Sequence, residues 1–563
     1  MDGGFTRQRL LATAGAAIGA LFVAPTAIAS ALRAPLARRI SVANVGCHYL
    51  GDHRKIATVA PGISGRDVAT MRFELSRPAT ATVEAVRTGL HSQTVVWETR
   101  AELGEGAQEV SWSPAPDTRV GSYVMRLTLE DGDLRRTYGG GSRPASPERV
   151  RSAVIRVLGI EAAFSRRSYL PTEPMELRIF ADAPDLTLTF LRVGHGPDPS
   201  LRMDEMTGLR MGEPVRMDWT GKRSAPHLVH VRSGDWPTGL YVARIEGGDG
   251  RVGFAPFVLR PTALGTARVA AVLPTNTWQA YNFHDTDGDG WGDTWYAGGS
   301  PPVLLDRPYR ERGVPPRFRR YDFPFLRWLE KTSLRAEILA DDDLEAVGSG
   351  DELRRLYDLV VFPGHSEYMT TEAYDAIERF RDLGGRLVFL SANNFFWRVD
   401  KQDHEMRRVG RWRSLGRPES RLGGVQYRAN DDGSRQGSFY VIDADAAPWL
   451  FAGTGLADGG TFGEEVGGFG IEADMTTSDS PAGTRVIALI PSLFGPGLHA
   501  EMTYYETAAG ARVFSAGVLD FPAYLSTPRG HRLLLNLWRH MLEPVLAAAR
   551  ESAGEDSRGG TNP

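Results

Sequence analysis

One stretch constrains the fold of this chain more than any other. It runs from Asp358 to Trp397 and reads DLVVFPGHSEYMTTEAYDAIERFRDLGGRLVFLSANNFFW. The apolar run up to Phe362 has strand character and stops at Pro363-Gly364. Thr370 or Thr371 can cap a helix on which Tyr374, Ile377 and Phe380 recur at helical spacing. Gly384-Gly385 ends that helix, and Arg386 to Ser391 returns to a strand. Such a strand-helix-strand unit requires a parallel sheet with right-handed crossovers. Ligands of open α/β sheets bind beyond the carboxyl ends of the strands. Two polar groups fall at those ends, His365/Glu367/Tyr368 and Asn393/Asn394.

The remaining chain divides around this unit. At 563 residues it exceeds a single core. Residues 40–145 alternate in β fashion between Gly, Pro and Asp turns, and 150–262 do so again. Gly121-Ser122-Tyr123 before Asp131-Gly132 is echoed by Gly239-Leu240-Tyr241 before Asp249-Gly250. Each copy has a tryptophan upstream, Trp112 or Trp236. Two Ig-like β-sandwiches are expected, with packing and spacing as their main role. From 265 to 545 the pattern is α/β, closing on an apolar helix from Arg532, and 546–563 is a polar tail. The Gly-rich span from Arg398 to Thr484 reads as a long insertion that shapes a site.

Residues 1–30 read as an export signal. Arg7 and Arg9 precede an apolar stretch, and Ala27-Ile28-Ala29 resembles a cleavage site. The Arg-Gln-Arg spacing is Tat-like and leaves the choice between Tat and Sec export open. The expected location is therefore periplasmic or extracellular, in a bacterium or archaeon. The formal net charge of −4 gives no reason to expect nucleic acid as a partner. Cys47 is the single cysteine, so an internal disulfide and a cysteine-based zinc site are both excluded. Walker and dinucleotide motifs are absent, and Ser391 lacks the nucleophile elbow.

Two constellations carry chemistry. Asp285, Asp287, Asp289 and Asp293, with Gly290 at the sixth position, match the front of an EF-hand-type loop. Tyr296 stands where the usual bidentate Glu would be. Structural calcium is expected there, with a plain Asp/Gly turn as the alternative. The second constellation is His365, Glu367 and Tyr368 with Glu472 as a distant acid. Carboxylate and phenolate suit an oxygen-preferring metal, which would polarise a carbonyl and activate water. Glu367 or His365 would then move protons. The alternative is that these side chains fill a loop core. Asn393, Asn394, Phe396 and Trp397 would form the facing wall of the pocket.

Several spaced motifs together resemble a known family. They are Trp278-Gln279-Ala280-Tyr281-Asn282, Tyr321-Asp322-Phe323-Pro324 with Arg327-Trp328-Leu329-Glu330, Gly364-His365-Ser366-Glu367-Tyr368, and Gly384-Gly385-Arg386-Leu387 through Asn394-Phe395-Phe396-Trp397. In this order they are similar to the C-terminal domain of the large (beta) subunit of N,N-dimethylformamidase. The resemblance implies a class I glutamine-amidotransferase-like (flavodoxin-like) sheet without the nucleophilic cysteine. It also implies iron on two tyrosines and a glutamate, and hydrolysis of a small amide. Carried over, the ligands are Tyr368, Glu472 and, for the second tyrosine, Tyr321 or the position of Phe396. Phe396 has no hydroxyl and cannot hold a metal. A small partner subunit or a homo-oligomer is implied as well. The expected function is an exported metal-dependent hydrolase of C–N amide bonds. The alternative is a non-catalytic surface or polysaccharide-binding protein, with a degenerate amidase-like domain stiffened by calcium.

Overall fold

A computed structural model of the protein describes residues 36–90, 92–140, 153–196, 202–297 and 301–543. The expected export signal at 1–30 and the tail at 546–563 lie outside the described residues. The chain is rich in β-structure, with several sheets and few helices. No helix among the described residues is long and apolar enough to cross a membrane.

The first sandwich faces a three-stranded sheet (Ala37–Asn44, Ala69–Leu75, Gly106–Trp112) against a six-stranded one. The strand Ala153–Val157 belongs to the larger sheet, although the sequence pattern assigns it to the second sandwich. It pairs in parallel with Ile56–Val59 and antiparallel with Gly121–Met125, and it buries Ile155 and Val157 in the first core. A boundary at 150 is therefore too early by one strand. The second sandwich begins at Ile160–Phe164 and ends with the hairpin Gly239–Gly247/Val252–Leu259.

The sequence echo has a physical basis. Tyr123 donates to the Arg119 carbonyl at 2.6 Å, and Tyr241 donates to the Pro237 carbonyl at 2.7 Å. Both hydroxyls thus satisfy a carbonyl four residues upstream, the corner that pins a sandwich turn. Trp112 packs edge-on against Tyr123, and Trp236 stacks on Tyr241.

The third region is built on a nine-stranded sheet. Its first five strands, Glu337–Ala340, Val269–Leu273, Leu359–Phe362, Arg386–Phe389 and Arg512–Ser515, run parallel. Ala500–Glu506 and Arg485–Ile490 continue it antiparallel. Alternate residues of the parallel strands enter two cores. Val360, Phe362, Leu387 and Phe389 meet Ala373, Ile377 and Phe380 of the helix Thr371–Asp382. Val361, Val388 and Phe514 meet Leu533, Leu537 and Trp538 of the helix Pro528–Leu542. Burial on both faces explains the near-continuous apolar strands. Thr370 caps its helix by accepting from the Ala373 N–H. The second sandwich shares this core through Leu240, Val242, Phe254 and Val258.

Candidate functional site

Three loops at the carboxyl ends of parallel strands converge. After Val269–Leu273 comes the short buried helix Thr275–Ala280; after Leu359–Phe362 comes 363–368; after Arg386–Phe389 comes 391–396. The Glu367 N–H donates to Thr277 Oγ1 at 3.1 Å. The Ser366 and Glu367 carbonyls accept from the Phe395 and Trp397 N–H groups. Tyr368–Met369 then pairs in parallel with Trp397–Arg398. Asn393 and Phe395 adopt φ of 54° and 57°. The left-handed region costs an L residue on the order of 1–2 kcal/mol. Here packing of Phe395 among Phe362, Phe389 and Tyr374 holds it in place.

The centre of the site is an imidazole between two carboxylates. His365 Nε2 lies 3.4 Å from Glu367 Oε2 and 3.4 Å from Glu472 Oε2, and all three residues are buried. Neither the His365 Nε2 nor the Glu472 Oε2 finds a hydrogen-bond partner. Burial alone would push the His365 pKa down, but the Glu472, Glu367 and Asp474 charges hold it above its usual value. Burial raises the Glu367 carboxyl to about 7, with the Glu472 charge adding to it and His365 and a hydrogen bond from Tyr281 opposing. Asp474 is raised to about 7 by burial, against the Asn393 N–H, which donates to both of its oxygens at 2.9 and 3.0 Å.

Phenols surround this chain of charges. Tyr281 donates to Glu367 and stacks on Tyr296, with centroids 3.6 Å apart at 8°. Tyr296 is 38 % exposed and forms the outer edge of the group. Burial holds Tyr281, Tyr368 and Tyr321 well above the ordinary tyrosine value, so these three stay neutral without a cation. Tyr427 is raised to about 12 by burial, with Glu472 and Glu367 adding to it.

A second layer fixes the Thr275–Ala280 helix. Asp341, buried at the end of the Glu337–Ala340 strand, accepts the Asn276 N–H at 2.7 Å and the Thr275 hydroxyl at 3.2 Å. Burial raises it to about 7, against the Lys401 charge and the Asn276 N–H. A carboxyl raised on folding binds more protons in the native than in the unfolded state between pH 3.8 and about 7. Its ionisation therefore removes stability as pH rises through that window. Asp341→Asn keeps the acceptor and loses the titration. Relative to the parent, the variant is expected to gain a few kcal/mol between about pH 4 and about pH 7.5. Denaturant midpoints at the two pH values check this, and a constant difference would refute it.

The expected residues separate into three groups. His365, Glu367 and Glu472 meet, and Tyr321 lies within the field of Glu472. Tyr368 packs with Tyr281, Trp295 and Leu305, and its phenol reaches the carboxylates through Tyr281. Asn393 faces Glu367, whereas Asn394 folds back to donate to the Ser391 carbonyl at 2.9 Å. Phe396 sits against Tyr427, Arg411 and Arg413, and Trp397 under Arg408. The Ser391 hydroxyl is spent on the Leu519 carbonyl at 2.8 Å.

In the acidic loop, oxygens of Asp285, Asp287 and Asp289 lie within 4.8 Å of one another. Asp293 is outside that group and accepts the Thr286 N–H at 2.7 Å. Asp285 accepts the Gly288, Asp289 and Gly290 N–H groups, so the loop closes on its own amides. It rests against the first sandwich, where Thr88 donates to the Gly290 carbonyl at 2.6 Å.

Asp474 and Tyr427 are site residues that the sequence pattern does not single out, and it offers Tyr281 and Tyr296 only as part of a family motif and as the last position of the acidic loop, without a role at this site. Asp474 was detectable, because Glu472 and Asp474 are two apart on one strand and share a face. The tyrosines carry no local signal, since Tyr281 meets Glu367 across 86 residues.

Comparison with known proteins places this site in a family region. A family model described as N,N-dimethylformamidase beta subunit-like, C-terminal, matches residues 218–532. The match starts inside the second sandwich, in keeping with the core shared by the two domains. The N,N-dimethylformamidase beta subunit of Paracoccus aminophilus is 23% identical over 330 residues, which is 45% of this chain and 43% of that protein. The N,N-dimethylformamidase beta subunit of an Alcaligenes sp is 24% identical over 246 residues, 37% of this chain and 32% of that protein. The similarity thus spans less than half the length of either relative.

Proposed function

Since this chain belongs to the N,N-dimethylformamidase beta subunit-like family, we propose that it hydrolyses the C–N bond of an amide at Glu367, His365 and Glu472. The observation that carries this is the buried imidazole between two carboxylates at the carboxyl ends of parallel strands. In this reading Glu367 accepts a proton from the attacking water and passes it to the departing nitrogen. A base with a pKa near neutrality suits both transfers. His365 holds the Glu367 and Glu472 charges in place, and the neutral phenols donate to the developing oxyanion. The products are a carboxylic acid and an amine. The sheet would be of the class I glutamine-amidotransferase-like type, and its parallel order supports that assignment.

Iron is the metal implied by the resemblance, and the donors present fit it. Glu472 has a buried oxygen without a hydrogen-bond partner, and hard phenol oxygens lie around it. Glu472 and Tyr321 would hold it, with Tyr368 as the third ligand that the resemblance implies; its phenol meets Tyr281, and Phe396 contributes no ligand. Bound iron would polarise the amide carbonyl as a Lewis acid. Phenols held neutral by burial must lose protons to bind it, so loading is expected to release about one proton per tyrosine engaged. Calcium at Asp285, Asp287 and Asp289 would stiffen the loop that Thr88 anchors. Export and a small partner subunit complete the proposal; the curated relatives are beta subunits.

The deciding experiment combines metal analysis with a panel of small amides. Stoichiometric iron, lost in Tyr321→Phe and Tyr368→Phe together with amine release, is expected. A protein that carries calcium alone and is inert on every amide would instead be the non-catalytic binding protein.

A further inference from the structure

Two long strands each end a sheet. Gln93–Leu103 closes the six-stranded sheet of the first sandwich, and Gly208–Asp218 closes the five-stranded sheet of the second. Among the described residues each pairs on one side only, with Ala79–Thr88 and Asp185–Val193 respectively. An open edge is a row of backbone donors and acceptors that another strand can join, and folded proteins blunt such edges with proline, charge or a bulge. The Gly208–Asp218 edge is blunted. Pro214 removes a donor there, and Gly212 with a φ of 70° breaks the extended run. The Gln93–Leu103 edge has neither proline nor glycine. Its one irregularity lies at Val96, where the register slips between Trp97 and Val95, so the run from Trp97 to Leu103 is regular. Val95 and Val96 are 40 % and 44 % exposed, and the half-buried Trp97 stacks on Trp112.

The charges of this edge are incomplete within one chain. Arg126 donates twice to Glu84, at 2.6 and 2.7 Å, and Glu84 stands directly opposite Glu98. Glu98 therefore faces a like charge inside its own sheet, whose cation lies on the far side. It makes no ion pair among the described residues. Arg100, two positions on and on the same face, gives one N–H to Glu130 at 2.9 Å, and its side chain is 65 % exposed. A guanidinium carries five donors, so most of that fork stays open.

We infer that this edge pairs antiparallel with the same edge of a second copy of the chain, about a two-fold axis at Thr99. A two-fold contact is self-complementary, with residue i of one copy meeting residue j of the other and the reverse. Directly opposed residues of antiparallel strands share a face. Centred on Thr99, Glu98 of each copy faces Arg100 of the other on the solvent side. On the core side, marked by Ala81 and Ala85 opposite Ala101 and Trp97, Trp97 of each copy faces Ala101 of the other. A large side chain thus lies over a small one. Val95 and Val96 come to the Glu102–Leu103 end of the second copy, which covers their exposed surface. Centring the pair one residue away in either direction sets Glu98 against Glu98 or Arg100 against Arg100, and like charges directly opposed destabilise a strand pair.

Sedimentation equilibrium of the full chain, over roughly two decades of micromolar concentration, tests the inference. The parent is expected to dimerise reversibly. Glu98→Arg and Arg100→Glu each oppose like charges twice in the dimer and should raise its dissociation constant about tenfold or more. Glu98→Arg also sets a cation opposite Glu84 within its own sheet, so its fold is spared; matched melting curves check this. Both substitutions in one chain reverse both charges and restore both attractions, and should return the dissociation constant to within about threefold of the parent's. Glu213→Arg, on the blunted edge of the second sandwich, should leave it unchanged. A parent that stays monomeric throughout, with the edge free or left to a different chain, overturns the inference. So does a dimer that either single substitution leaves intact, or that the double reversal fails to restore, because the contact then lies elsewhere or in another register.

Discussion

Glu367→Gln is expected to lower kcat for amide hydrolysis by about a thousandfold, with KM changed by less than about threefold. The substitution keeps shape and volume. The new side-chain amide can still accept from Tyr281, and the backbone N–H keeps its bond to Thr277 Oγ1. What the amide cannot do is take a proton from water. The change therefore acts on the transition state and spares ground-state binding, which confines the effect to kcat. Removing the charge also relieves a buried carboxyl that burial raises to about 7, so the folded protein should be no less stable than the parent. Steady-state kinetics with matched circular dichroism and melting curves give the answer. A variant whose kcat stays within about threefold of the parent's would exclude Glu367 as the base.

Gly313→Ala is expected to destabilise the protein by about 3 kcal/mol or more, without touching the site. Gly313 has a φ of 89°, and a Cβ built there would lie 1.7 Å from the Phe254 carbonyl oxygen and 2.6 Å from its carbon. The obstacle is backbone in the last hairpin of the second sandwich, which cannot rotate away. The same turn is tied to that hairpin by the Phe254 N–H donating to the Arg312 carbonyl at 2.8 Å, and by Arg312 donating to the Val252 carbonyl at 3.0 Å. Relief must therefore separate the sandwich from the α/β domain, whose core includes Phe254. Positive φ and a displaced interface are both among the mechanisms of large single-site effects. At roughly 2–4 °C per kcal/mol for a domain of this size, the melting temperature should fall by about 10 °C. A fall under about 2 °C would mean the interface tolerates the displacement.

Much of the fold is legible in the sequence because its signals are local. Thr370 as cap, the Tyr374/Ile377/Phe380 stripe and Gly384 with its φ of 83° define one helix within a single short stretch. The terminal helix starts at Pro528, ahead of the expected Arg532, because Thr527 caps it. The strand Ala153–Val157 goes to the wrong sandwich on pattern alone, for a complementary reason. Its own alternation fits either core, and only pairing with the distant Ile56–Val59 strand decides.

At the site, primary structure is enough to put His365, Glu367 and Tyr368 just after a buried strand, at the carboxyl end of a parallel sheet. Spacing within one loop dictates that much, and it dictates the residues of the acidic loop as well. The rest of the site exists only through long-range packing. Glu472 reaches His365 from a strand of a separate insertion, and Tyr281 reaches Glu367 across 86 residues, contacts that no local periodicity encodes. Burial, a property of the assembled chain, then raises the carboxyls and keeps the phenols neutral, and so turns these polar residues into a site with chemistry.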